Sequence, residues 1–311
     1  MSTEDRNYIL GPVPSRRLGR SLGVDLVPFK TCSYDCVYCQ LGRTTNKSIE
    51  RKEWVPLGDV MNQLKDRLSS KPDYITLSGS GEPTLFSKLG ELISGIKELT
   101  DIPLAVLTNG SLLWLPEVRE ELKSADLVVP SLDAGSSEVF QYVNRPNPEI
   151  TFDKMIQGLI DFRKIFSGQY WLEVFQLNEV TTSQTEIDKL KKCIAAIEPD
   201  LVQVNTVTRP PAEDFAQSVP KKQLEEITAQ LHSKAEVIAD YRNVHKEEKF
   251  SAKREDIFTL LERRPCSIED IATGLNLHRN EVVKYIEELS SEGKIEAKKQ
   301  NQKLYYKKLV K

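Results

Sequence analysis

The chain is poor in the residues that most often do chemistry: its 311 residues include five cysteines, three histidines, three methionines and three tryptophans. Five cysteines, an odd number unevenly spread, exclude a disulfide framework, and in a reducing compartment a tight group of them serves metal ligation or catalysis. The histidines, His232, His245 and His278, lack metal-ligand spacing. No apolar run approaches the roughly 20 residues that a membrane span requires. The amino terminus, MSTEDRNYIL, is too polar and acidic for a signal peptide, so a cytoplasmic location is expected. Internal repeats of fixed period and low-complexity segments are also missing. What remains is a chain with net charge −3 and 39 % hydrophobic residues, enough to bury one large core and a smaller second one.

From about residue 21 to residue 207, short β-branched apolar runs alternate with amphipathic stretches, which predicts strands each followed by a helix and therefore parallel strands. Strands are expected in SLGVDLVPF (21–29), YITLSGS (74–80), LAVLTNG (104–110), LVVPSLD (127–133), WLEVFQLNEV (171–180) and LVQVNTVT (201–208), with helices such as VMNQLKDRL and TEIDKLKKCIAAI between them. Six such units fit a barrel or an open doubly wound sheet. Either architecture places a site at the strand ends, where the loops begin. TRPPAEDFAQSVPKKQ (208–223) is a proline-bearing loop.

After about residue 250 the pattern changes to three helical stretches, AKREDIFTLLERR, SIEDIATGL and RNEVVKYIEELSSEG, followed by a hairpin in KIEAKKQNQKLYYKKL. Ser267 is the expected N-cap of the middle helix and Gly274 its stop. The segment resembles a winged helix-turn-helix. Residues 249–311 carry 14 basic against 10 acidic side chains, a net of +4 against −7 for the remainder. The expected division is an N-terminal segment (1–20), a barrel (21–248) and a winged helix domain (249–311).

Three of the five cysteines fall within eight positions of TCSYDCVYCQ (31–40), at Cys32, Cys36 and Cys39. Thiolate sulfur is a soft ligand that both iron and zinc accept. Structural zinc needs a fourth ligand, which Cys193, Cys266 or a histidine would supply only from a distant part of the fold. A four-iron cluster on three cysteines instead leaves one iron open to a small molecule.

The CxxxCxxC spacing, with aromatic Tyr38 immediately before its last cysteine, resembles the signature of the radical S-adenosylmethionine (SAM) superfamily. That resemblance implies an α/β fold of the (β/α)6 partial TIM-barrel type and a [4Fe-4S] cluster held by Cys32, Cys36 and Cys39. It also implies SAM chelated at the open iron, with Tyr38 near its adenine. Such an iron–sulfur oxidoreductase cleaves SAM reductively to a 5′-deoxyadenosyl radical that abstracts hydrogen, and takes its electron from a reduced flavodoxin- or ferredoxin-type donor.

SGSGEPTL (78–85), with Gly81, Glu82 and Pro83, resembles the family's glycine-rich motif, whose implied role is to hold the methionine amino group; alone it is an ordinary strand-to-helix turn. By the same resemblance, Thr108, Asn109, Ser131 and Asp133 stand at strand ends where family members bind the ligand's carboxylate and ribose. Asn109-Gly110 is also a plain turn signal, and Asp133 could cap a helix. Gln176, Asn178, Asn205 and Arg209, at the ends of the last two strands, face ligand or substrate.

GPVPSRRLGRSLGVD (11–25) resembles a radical enzyme subgroup related to the tRNA wybutosine-synthesising enzymes. Arg16 and Arg17 in it either clamp a carboxylate or phosphate of the substrate or pair with acids on a solvated face. Unlike those enzymes, the chain has no second group of cysteines ahead of the first, so a second cluster is not expected. Two alternatives stand beside radical catalysis on an unidentified substrate. One is an iron–sulfur redox-sensing regulator whose HRNEVVKYIEEL enters a DNA major groove, against the charge of Glu281, Glu287 and Glu288. The other is a tRNA- or peptide-modifying radical enzyme, with nucleic acid held by the C-terminal domain. Cys193, in LKKCIAAI, reads as a buried structural thiol.

Overall fold

The computed structural model describes residues 6–238, 254–275, 277, 279–300 and 303–309. The expected boundary at 248/249, His245 and His278 lie outside the described residues. Among these residues a single large sheet runs in the order β1 (Ile9–Ser15), β2 (Gly19–Val24), β3 (Tyr74–Leu77), β4 (Leu104–Thr108), β5 (Leu127–Pro130), β6 (Gln169–Gln176), β7 (Leu201–Thr206) and β8 (Ala235–Val237). From β2 onward every neighbouring pair is parallel. A doubly wound sheet reverses its strand order at a switch point. Here spatial order follows chain order throughout, as in a barrel wall.

The crossovers carry α1 (Leu57–Arg67), α2 (Leu89–Leu99), α3 (Pro116–Leu122), α4 (Ser137–Val143), α5 (Phe152–Ile165), α6 (Gln184–Ile197) and α7 (Lys221–Leu231). Thr151 and Ser183 start α5 and α6 by accepting hydrogen bonds from the backbone N–H groups of Lys154 and Glu186. The helices bury their apolar stripe on the sheet, so that Leu64, Leu92, Ile96 and Leu159 pack with Leu22, Ile75, Val106 and Leu172 in one core. Cys193 packs half-buried against this core from α6, as a structural thiol does. Among the described residues no helix is long and apolar enough to cross a membrane.

Two strands escape the sequence pattern. β1 pairs antiparallel with β2, with a register shift between Leu10 and Val13. It carries Gly11, Pro12 and Pro14, which break any alternation and which a sheet tolerates only at its edge. β8 is three residues long, too short to show a period.

The C-terminal residues form α8 (Arg254–Arg263), α9 (Ile268–Gly274), α10 (Arg279–Ser291) and an antiparallel pair, β9 (Ile295–Gln300) and β10 (Lys303–Lys308). As expected, Ser267 caps α9, in a reciprocal capping box with Asp270. These elements share their own apolar cluster, including Ile257, Leu260, Ile271, Val282 and Ile286, which Val13 of β1 joins. Cys266 is buried there and pairs through its backbone with Tyr306. Further ties to the sheet are Arg263 Nη2 to the Asn7 carbonyl (3.0 Å), Tyr305 Oη to the Thr208 carbonyl (2.8 Å) and Lys298 to Asp214 (3.1 Å).

Candidate functional site

The cysteine loop leaves β2 and is pinned from two sides. Residues Thr31–Cys32 pair with Asn46–Lys47 on one side. On the other, Asp35 N and Val37 N donate to the carbonyls of Asn144 and Val143, at the C-terminal end of α4. Cys32, Cys36 and Cys39 all line a cavity of about 450 Å3. Each sulfur has its own N–H donor: Asn109 Nδ2 to Cys32 (3.5 Å), Asn144 Nδ2 to Cys36 (3.5 Å) and Lys30 Nζ to Cys39 (3.4 Å). Such donors suit thiolates bound to a metal. Burial pushes the Cys32 thiol up to about 12 and the Cys36 thiol well above its ordinary value, so these sulfurs give up their protons only to a cation.

Among the described residues no group of three or more His, Cys, Asp or Glu side chains is arranged around a single metal ion. A cubane gives each cysteine its own iron, and three sulfurs each with a separate N–H donor fit such a cluster.

The glycine-rich turn after β3 owes its glycines to two close approaches. A Cβ on Gly81 would stand 1.8 Å from the Thr31 carbonyl oxygen, and one on Gly79, at φ +143°, would stand 2.7 Å from the Asp25 carboxylate. The turn is thus pressed against the backbone of the cysteine loop, and Glu82 N donates to the same Thr31 oxygen at 3.1 Å. Gly81 lines the cavity, whereas Glu82, Pro83, Thr108 and Asn109 are not among its lining residues. The buried Glu82 carboxylate accepts from Thr84 N, Thr84 Oγ1, Thr108 Oγ1 and Asn109 N, tying the end of β3 to the end of β4. Asn109 turns its side chain to Cys32 and to Ser33 Oγ, 2.9 Å away.

Tyr38 lies in the cavity wall, stacked on Phe175 with 3.9 Å between centroids and 10° between planes. Its hydroxyl donates to Asp133, which also accepts from Asn144 Nδ2 (2.7 Å) and Phe175 N (3.1 Å). Asp133 therefore caps no helix; it braces the cysteine loop to β6. Burial pushes its carboxyl up to about 6 although these donors favour ionisation. Ser131 also lines the cavity and bridges to Glu173 of β6.

Arg16, Arg17, Asn205 and Arg209 also line the cavity. Arg17 pairs with Glu173 at 2.8 Å, with side chains only 11 % and 18 % exposed, so the solvated-face alternative does not hold for it. Burial alone would raise the Glu173 carboxyl; Arg17, with Asn205 Nδ2 donating at 2.9 Å, instead holds it below the ordinary range. Arg16 reaches Asn205 Oδ1 (3.1 Å) and Thr208 Oγ1 (2.8 Å), and Arg209 reaches Gln40 (3.1 Å). Gln176 is buried and bonded to Thr181, and Asn178 is tied through its backbone to Gln217; neither lines the cavity. Sequence reasoning passed over Lys30, Asn144, Glu173, Arg263 and Arg264. Lys30 carries a weak signal, a lysine next to the cysteine motif, whereas the others reach the site only through the fold.

The sequence profile of the radical SAM superfamily matches residues 26–187, more than half of the chain. The chain belongs to the radical SAM superfamily. It is also 34 % identical over 313 residues to a UPF0026 protein of Methanocaldococcus jannaschii, a match covering 97 % of this chain and 96 % of that one. A protein of Brachyspira hyodysenteriae named GTPase Obg is 41 % identical over 292 residues. The match covers 92 % of this chain but 43 % of that protein's length, so this chain spans less than half of that relative. Among solved structures, a radical SAM methyltransferase from Sphaerobacter thermophilus superposes with a TM-score of 0.56 at 16 % identity, over 72 % of this chain and 67 % of that one. The FeFe-hydrogenase maturase HydG from Carboxydothermus hydrogenoformans gives 0.52 at 17 % identity, over 80 % and 57 %. At such identities the likeness is one of fold. As a radical SAM enzyme the protein uses a [4Fe-4S] cluster and SAM.

Proposed function

We propose that Cys32, Cys36 and Cys39 hold the [4Fe-4S] cluster, and that the protein is a SAM-cleaving radical enzyme acting on a substrate bound in the same cavity. The observation that carries this is the meeting of the three cysteines, each with its own N–H donor, on a cavity whose other walls come from strand ends. When bound, the cluster supplies the electron that cleaves SAM to a 5′-deoxyadenosyl radical.

The chain's own residues bind and orient. Tyr38, held flat by Phe175 and aimed by Asp133, presents an aromatic edge for the adenine. The backbone at Gly81 offers hydrogen-bonding groups that no side chain obstructs, for the methionine amino group. Ser131 adds a hydroxyl for the ribose or carboxylate. Glu82, Pro83 and Asn109 support these groups from behind: Glu82 joins two strand ends, and Asn109 steadies Cys32. The walls form a partial barrel, and α8, α9, α10, β9 and β10 form a winged helix packed on its edge at β1. Keeping water from the cavity protects a radical from side reactions, and holding a target C–H bond close to it supplies orientation. A flavodoxin- or ferredoxin-type protein delivers the electron.

Anaerobic reconstitution with iron and sulfide, followed by dithionite reduction, tests this. The electron paramagnetic spectrum is expected to change on adding SAM, with 5′-deoxyadenosine appearing, and Cys36→Ala is expected to lose both. A Cys36→Ala protein that still cleaves SAM would refute the ligand assignment.

A further inference from the structure

The cavity carries a group of arginines that the cluster and SAM do not explain. Six cationic side chains line the cavity as a whole, against two carboxylates, Asp133 and Glu173. Lys30 bonds Cys39 and Arg209 bonds Gln40, the residue after it; all of the six but Lys30 are arginines, contributed by three separate parts of the chain. Arg16 and Arg17 come from the turn between β1 and β2, Arg209 from the loop after β7, and Arg263 and Arg264 from the end of α8.

The two carboxylates are already engaged. Asp133 serves Tyr38, Asn144 and the Phe175 backbone, and Glu173 serves Arg17 and Asn205. Asp25, near Arg263, is taken up by the Ser80 hydroxyl and backbone, and Asp270 by its capping box. Buried donors are left over: among the described residues, Arg17 Nη1 and Arg264 Nε have no hydrogen-bond partner. Buried guanidinium donors without acceptors are costly and rare. Burial, with Arg264 and Arg16 as like-charged neighbours, pushes Arg209 down to about 9, which shows how strongly this group disfavours further positive charge. Planar guanidinium forks match the paired oxygens of phosphate and carboxylate.

We propose that the arginine group of the cavity binds an anionic group, a phosphate or a carboxylate, on a small-molecule substrate, and that the C-terminal helices complete this site by supplying Arg264. This rests on the radical SAM reading above. It also gives the C-terminal helices a task inside the enzyme. The hairpin that would otherwise meet nucleic acid has lysines engaged with acids, Lys307 with Glu296 (3.0 Å) and Lys308 with Glu262 (2.6 Å).

The test uses the full chain with its cluster reconstituted. Inorganic pyrophosphate and malonate are titrated calorimetrically, with and without saturating SAM, into the unsubstituted protein, Arg264→Gln and Arg17→Lys. One anion per chain is expected to bind, compatibly with SAM, and either substitution is expected to weaken it about tenfold or more, since a charge-assisted fork is lost. Pyrophosphate binding well ahead of malonate identifies a phosphate, and the reverse a carboxylate. Arg17→Lys keeps the charge and removes only the fork, so it decides the matter should Arg264→Gln fail to fold. The proposal is overturned if neither anion saturates, if both variants bind as tightly as the parent, or if SAM competes the anion away, which would make these arginines the seat of the cofactor's own carboxylate. 5′-Deoxyadenosine formation is measured on the same parent sample. Its presence without anion binding refutes the anion site alone, and its absence refutes the radical reading while anion binding is still scored by the titration.

Discussion

Gly81→Ala tests whether the glycine-rich turn and the cysteine loop are built as one piece. The added methyl would stand 1.8 Å from the Thr31 carbonyl oxygen, 2.8 Å from its carbon and 2.9 Å from Val27 Cγ2. The first two obstacles are backbone atoms, so no change of rotamer relieves the clash; turn and loop must separate by roughly 1.5 Å before an ordinary contact is restored. That separation breaks the Glu82 N to Thr31 O hydrogen bond of 3.1 Å, worth about 1 kcal/mol. Overpacking a site that cannot relax adds about 1–3 kcal/mol. The sum, about 2–4 kcal/mol, corresponds to a melting temperature lower by about 4 °C or more for a chain of this size.

Thr31 precedes Cys32, so on the proposed ligand assignment the same movement displaces a cluster ligand, and iron bound per chain after reconstitution is expected to fall with stability. Calorimetry of the full chain and iron analysis read the two effects. Gly58→Ala is the control: Gly58 lies in α1 with nothing within 4 Å of an added Cβ, and alanine there should raise stability by up to about 1 kcal/mol. A Gly81→Ala protein that melts with the parent and loads as much iron would refute the coupling.

Other consequences are equally direct. Arg17→Met leaves Glu173 buried without its cation, at about 3–5 kcal/mol near pH 7. The Glu173 carboxyl is held low in the parent, so the ion pair's contribution is present above the ordinary carboxylate range and lost as pH falls through the lowered value, while the variant is relieved as its unpaired carboxyl protonates. The stability gap between the two should narrow as pH falls below about 5 in denaturation curves, and a gap constant from pH 4 to 8 would contradict the pairing. Lys30→Met removes the donor 3.4 Å from Cys39, and with it a positive charge that favours the reduced cluster. A more negative midpoint potential in a redox titration is therefore expected, and an unchanged one would show that Lys30 does not act on the cluster.

Much of the sheet was legible because β-branched runs such as LAVLTNG and LVQVNTVT are buried on both faces and announce themselves in composition. The cysteine loop was legible because its three cysteines are close in sequence. The supports of the site were not. Asn144 reaches Cys36 from 108 positions away and Glu173 meets Arg17 across 156, and no local period carries such contacts. The glycine motif was legible as a ligand cradle, and the fold adds a second demand on it: Gly79 and Gly81 are also required by the close approach of the Asp25 carboxylate and the Thr31 backbone. Glu82 was read as a ligand contact, and it is the buried acceptor that binds two strand ends together.

Charge shows most sharply what the fold adds. A net of −3 spread over the chain gives no hint of an anion site, because the arginines responsible are scattered from residue 16 to residue 264. β1, the strand that its prolines hid, helps to bring them together: its turn carries Arg16 and Arg17 to β6 and β7, and its Val13 joins the cluster of α8, α9 and α10. The same strand therefore places Arg264 beside them. An antiparallel edge strand adds little to a parallel core, but as a hinge between the sheet and the C-terminal helices it sets what the cavity can hold. Of the arginines of the C-terminal helices, Arg279 is exposed at the start of α10, whereas Arg263 and Arg264 line the cavity that the cysteines share.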